Sequence, residues 1–174
     1  MKKVLTLVLT LMLVLTAVSA LANNSKNNGG IYGGDTDNDE VKLVPIDPTD
    51  KLQEIMDKIT EANDKEGDPL KGLPGEIVGG IPAEHTKIND MKCWMLEGDV
   101  NGLGQLVLIF KFEAPYPEGE EVTLLIGIAP ADGEVEWIQK TGVANADGDV
   151  VVTVTAAELA KIQNNPFIAI PVSK

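Results

Sequence analysis

The sequence predicts a mainly β fold, an antiparallel sandwich or partial barrel with one amphipathic helix ahead of it. Three observations carry this. From residue 92 onward the apolar positions recur with period two: Leu106, Leu108, Phe110 and Phe112, then Val122, Leu124, Ile126 and Ile128, then Val150, Val152 and Val154. Turn signals separate these runs at Asn101-Gly102, Pro115 to Gly119, Asp132-Gly133 and Asp147-Gly148. Before residue 70 the period is instead that of a helix.

Residues 1–22 read as a secretory signal peptide. Lys2 and Lys3 form a charged start, Val4 to Val18 an apolar run, and Ala20-Leu-Ala22 a small-x-small cleavage site. The run is short for a membrane span. Cleavage after Ala22 would release a secreted, extracellular chain beginning at Asn23. Residues 23–40 are rich in Asn, Gly and Asp, with Ile31 and Tyr32 as the large apolar groups. They read as a flexible low-complexity leader.

A helix-containing segment is expected over 41–75, and a β domain over 76–174. The helix is placed at 47–65, with Asp47 as N-cap and Pro48 in the first turn. Leu52, Ile55, Met56, Ile59 and Ala62 form its apolar stripe, supported by the i,i+4 pairs Glu54–Lys58 and Glu61–Lys65. Gly67 and Pro69 end it. The Gly- and Pro-containing stretch 70–91 reads as a connector with one short strand near 76–78. Within the strands, Thr155-Ala-Ala-Glu158 is a capping box, and Val154 with Leu159 is its hydrophobic staple. Asn164-Asn-Pro166 stops that short helix, and Phe167 to Val172 supplies the last strand.

A resemblance rests on these residues. Pro115-Tyr-Pro-Glu-Gly119, Val122 to Ile128, Val135-Glu-Trp137, Asp147-Gly-Asp149, Val150 to Thr155, the short helix and the Pro166-Phe167 strand are similar to a known type. They resemble the immunoglobulin-like β-sandwich modules of secreted and surface proteins of Gram-positive bacteria, over about residues 90–174. The resemblance implies an immunoglobulin-like sandwich and a structural or binding role. It brings no general catalytic residues.

Composition narrows the chemistry. The 174 residues carry 14 Lys+Arg, all of them Lys, against 27 Asp+Glu, a net charge of −13. Removing a signal with two Lys and no acid takes −13 to −15. Such a chain repels a nucleic-acid backbone and anionic surfaces. Without Arg it cannot offer a bidentate guanidinium fork. One Cys and one His cannot build a Cys₂His₂ or Cys₄ zinc site, so neither metal nor cofactor is expected. Asp35-Thr-Asp-Asn-Asp39 has the alternating acids of a calcium loop but lacks the sixth-position Gly and the twelfth-position acid. Asp147-Gly-Asp149 reads as a hairpin turn.

Catalytic readings find little support in these residues. A Ser-His-Asp set would need His85 with Ser25, in the leader, or Ser173, beside the C-terminus. Cys93 with His85 is the remaining nucleophilic pair. The reading is therefore non-catalytic, a binding or structural module at the cell exterior whose partner is a glycan, a wall component or a protein. Its candidate anchors are Tyr116, Trp137 and Trp94. Tyr116, held between Pro115 and Pro117, is the ring expected to be exposed, whereas Trp137 and Trp94 also read as core. The alternatives are an inhibitor or partner protein engaging another chain through the 47–65 helix or Cys93, and a small extracellular hydrolase.

Overall fold

The computed structural model describes residues 34–174. The expected signal peptide at 1–22 and the expected leader from 23 to 33 lie outside the described residues.

Nine strands form one antiparallel sheet. In chain order they are β1 (Gly34–Thr36), β2 (Lys42–Pro45), β3 (Lys87–Ile88), β4 (Lys92–Glu97), β5 (Gln105–Phe110), β6 (Glu121–Ile128), β7 (Glu136–Ala144), β8 (Val150–Thr155) and β9 (Phe167–Ser173). The helices are α1 (Asp50–Glu66), α2 (Gly75–Val78) and α3 (Ala156–Ile162), with a 3₁₀ turn at Pro69–Gly72. The sheet runs β1-β5-β8-β7-β6-β9-β4-β2, and β3 pairs with the end of β9 beyond β4.

The sheet is nearly closed and barrel-like. Its edge strands β1 and β2 come together: the Thr36 hydroxyl donates to the Val41 carbonyl at 2.6 Å, and Gly34 lies against the Leu43 side chain. Closure shields edge strands that would otherwise present unpaired backbone groups. Gly34–Thr36 therefore belongs to the sheet, paired with Leu108–Phe110, and corrects the reading of 23–40 as leader over this part.

The period-two runs explain the barrel. Leu106, Leu108, Phe110, Val122, Leu124, Ile126, Val150, Val152, Val154 and Phe167 turn inward into one cluster. Phe110 sits at its centre, edge-on to Trp94 at 5.7 Å and to Phe167 at 6.4 Å. β7 and β8 pair only at Val143↔Val151 and Ala144↔Val150. Beyond that point α3 is joined to β7 by the Lys140–Glu158 (3.1 Å) and Lys161–Glu136 (2.9 Å) ion pairs. Its capping box is formed, and Leu159 and Ile162 enter the barrel cluster.

The outer face is apolar as well on one side. Cys93, Leu125, Ile168, Ile170 and Val172 point outward from β4, β6 and β9, and Leu52 and Ile59 of α1 cover them together with Leu73. The helical stripe is thus used on the chain's own sheet. α1 begins later than expected: Thr49, with extended dihedrals and no side-chain cap bond, is the N-cap in place of Asp47. Both i,i+4 pairs are present, and Gly67 ends the helix in the left-handed conformation (φ 66°). Residues 75–78 are helical, not a strand. Pro74 precedes their first turn, and its carbonyl accepts from both Ile77 and Val78.

Candidate binding surface

The three aromatic anchors separate cleanly. Trp94, on β4, is 0% exposed inside the barrel, where its indole Nε1 has no hydrogen-bond partner among the described residues. Tyr116 is 7% exposed, so the ring expected in solvent is buried. The flanking prolines stiffen the loop, but the ring turns inward. It meets Phe112 edge-on at 6.3 Å, while its backbone N–H donates to the Gly148 carbonyl at 3.0 Å. Burial, aided by the charges of Asp90 and Glu120, pushes the Tyr116 phenol up to about 12, against a hydrogen bond from Asn89 that favours its ionised form. Neither Trp94 nor Tyr116 offers a face to a ligand.

Trp137 is different. It lies on the outer face of β7, in phase with Val135 as the alternation requires, and stays half-buried. Its register partner on β6 is Gly127. A Cβ at Gly127 would stand 3.0 Å from the Trp137 ring and 3.0 Å from Ile168, so a larger residue there would require the indole or Ile168 to give by a few tenths of an ångström. Two residues along, the Gln139 amide donates to the Gly80 carbonyl at 2.6 Å and holds the turn after α2 against β7. Ile77, Val78, Ile81 and Val135 are half-buried against the same outer cluster. The result is an indole with one face on the sheet and part of its surface open, rimmed by aliphatic groups.

No protein-family profile, curated protein or solved structure matches this chain.

The candidates for chemistry are placed as structural groups. Cys93 is buried under α1, and that burial pushes its thiol up to about 11, far from the thiolate a nucleophile needs. His85 is buried, and its Nδ1 shares a 2.9 Å hydrogen bond with the Thr123 hydroxyl. That burial differs from the exposed loop histidine its polar sequence neighbours suggest. Ser173 is buried at the end of β9.

Several Asp and Asn side chains hold nearby backbone groups. Asp35 accepts from the Thr36 N–H, Asp37 from the Val107 N–H at 2.9 Å, and Asn38 from the Glu40 N–H. Asn145 accepts from both Asp147 and Asp149, forming the hairpin read from Asp147-Gly-Asp149. Burial raises the Asp149 carboxyl, the Lys111 charge opposes that, and Asp147 adds to it. Glu158 is partly desolvated, yet the Thr155 backbone and the Lys140 and Thr155 side chains outweigh this and lower its pKa. Among the described residues, no group of three or more His, Cys, Asp or Glu side chains gathers to hold a metal. Among them too, no helix is long and apolar enough to cross a membrane.

Proposed function

We propose that this chain is a secreted, non-catalytic binding module acting at the cell exterior, and that it engages its partner through the outer face around Trp137. The partner is a glycan, a wall component or a protein. The resemblance of residues 90–174 to immunoglobulin-like surface modules belongs to the same reading. One observation carries it: of the three aromatic anchors, Trp137 alone is not buried, and its ring packs closely over Gly127. Indoles in such settings contribute a large apolar face with a polar edge, as recognition surfaces require.

Two further observations favour this reading over its rivals. The α1 stripe is already covered by the barrel, which leaves the helix poorly suited to a partner's groove. The buried, protonated Cys93 and the hydrogen-bonded His85 are poorly suited to hydrolysis. The test is co-sedimentation of residues 23–174 with washed bacterial cell walls and with insoluble polysaccharides, with and without calcium. Pelleting with one matrix, lost in Trp137→Ala but kept in Tyr116→Phe, is the expected result. Pelleting unaffected by Trp137→Ala would move the surface elsewhere on the barrel. A protein that stays in the supernatant with every matrix would set aside the glycan and wall partners, and pull-down would then seek a soluble protein.

A further inference from the structure

We propose that residues 47–86 form a strap that lifts from the barrel as a unit while the barrel stays folded. The segment leaves the sheet after β2, where the Ile46 N–H donates to the Cys93 carbonyl at 3.0 Å. It returns just before β3, where the Thr86 N–H donates to the Ser173 carbonyl at 2.9 Å. Both ends therefore sit on the neighbouring strands β4 and β9, and lifting the part between them displaces no barrel strand.

Among the described residues, no strand ladder joins 47–86 to the barrel. The segment is seated by the buried side chains of Leu52, Ile59 and Leu73 with half-buried groups such as Ile55, Met56 and Ile77 beside them, and it is pinned by polar contacts near both ends and by the Gln139–Gly80 hydrogen bond between them. At the start of α1 the Lys51 ammonium donates to three carbonyls of the β6–β7 loop: Pro130 at 2.6 Å, Ala131 at 3.1 Å and Gly133 at 3.1 Å. At the far end, His85 is held to Thr123 of β6. Within the strap the parts cohere. Gly72 packs directly on the backbone of Lys58 and Ile59, and Lys71 pairs with Glu66, so the 3₁₀ turn moves with α1. A unit held by side-chain packing and a few polar pins, with no ladder, opens at lower cost than a closed sheet unfolds. Opening would uncover the apolar face of Cys93, Leu125, Ile168 and Ile170.

Cys93 is the chain's single cysteine and lies under the strap, so it reports the opening directly. The experiment is the rate at which a thiol-reactive disulfide reagent modifies the native full chain at pH 7.5, under conditions where reclosing outpaces reaction. Lys51→Met removes a pin and is expected to speed labelling about tenfold, corresponding to about 1.4 kcal/mol. Thr123→Val removes the His85 pin and serves if the first variant folds poorly. Thr155→Ala weakens α3, far from the strap in the sheet order, and is expected to lower the urea midpoint while leaving labelling unchanged. Labelling that accelerates in Thr155→Ala in step with its lost stability would show that Cys93 is reached through barrel unfolding, and would overturn the proposal. Labelling indifferent to both pin variants would overturn it equally.

Discussion

The inner and outer apolar layers of this protein use the same strands to different effect. Inside the barrel, Trp94, Phe110 and Phe167 are wholly buried and meet edge to face, and each stands on a strand fixed in a hydrogen-bonded ladder. Outside, the face of β4, β6 and β9 is aliphatic and is covered by a segment that contributes no ladder. Ile55, Met56, Ile77 and Trp137 remain half-buried at its margins. The difference teaches that burial alone does not measure how firmly a layer is held. Closure binds the inner layer to the whole fold, while the outer layer depends on a cover. It also explains why the aromatic ring with open surface is found outside.

Truncating the inner layer gives the largest effect. Phe110→Ala removes a ring that touches Trp94, Phe112 and Phe167 and leaves a cavity that closed walls cannot collapse. The expected loss is about 3–5 kcal/mol in urea denaturation. Ile59→Ala, in the outer layer, removes a smaller group from a yielding cover and should fall below that range. Equal losses would erase the distinction between the layers.

The sequence carried the inner layer well. Alternation names its residues because a strand's side chains change face at every step, and Thr155-Ala-Ala-Glu158 names the start of α3. What it could not carry is the pairing of distant edges. A sandwich and a barrel show the same alternation, and they differ in whether β1 meets β2. Gly34-Asp-Thr36 has no apolar pattern at all and is a strand because β5 offers it an edge. Gly75-Glu-Ile-Val78 has β-branched residues but is helical, since its chain turns after Pro74 rather than meeting an edge. For the candidate surface, the phase of Val135 and Trp137 was legible while the side it faced was not. Tyr116 misleads because prolines fix a loop's path without fixing which way its ring points.

Alkaline pH compares the two layers through one group in each. Cys93 lies under the cover and Tyr116 at the inner cluster, and burial raises both, to about 11 and about 12. Unfolding restores their ordinary values, so between pH 9 and 11 the unfolded chain binds fewer protons than the folded one. Stability contributed by the two protonated groups is then full below pH 9 and falls as pH rises, by on the order of 3–4 kcal/mol by pH 11. Urea midpoints measured from pH 8 to 11 should decline. Cys93→Ala should flatten the part beginning near pH 9, and Tyr116→Phe the part beginning near pH 10. A decline unchanged in both variants would assign it to other groups.

The smallest effect tests whether α3 belongs to the closed barrel or only rests on it. The Thr155 hydroxyl accepts from the Glu158 N–H at 3.4 Å, and the Glu158 carboxylate accepts from the Thr155 N–H at 2.7 Å. Thr155→Ala removes the first contact and leaves the second. Loss of such a cap costs about 1 kcal/mol. Because Leu159 and Ile162 lie in the inner cluster, that cost should appear as a lower midpoint of the whole cooperative transition with its slope unchanged. A separate early transition, or fraying confined to α3 in hydrogen exchange, would instead make α3 a second cover. The gap between β7 and β8 would then be a seam in the barrel that opens independently of the rest.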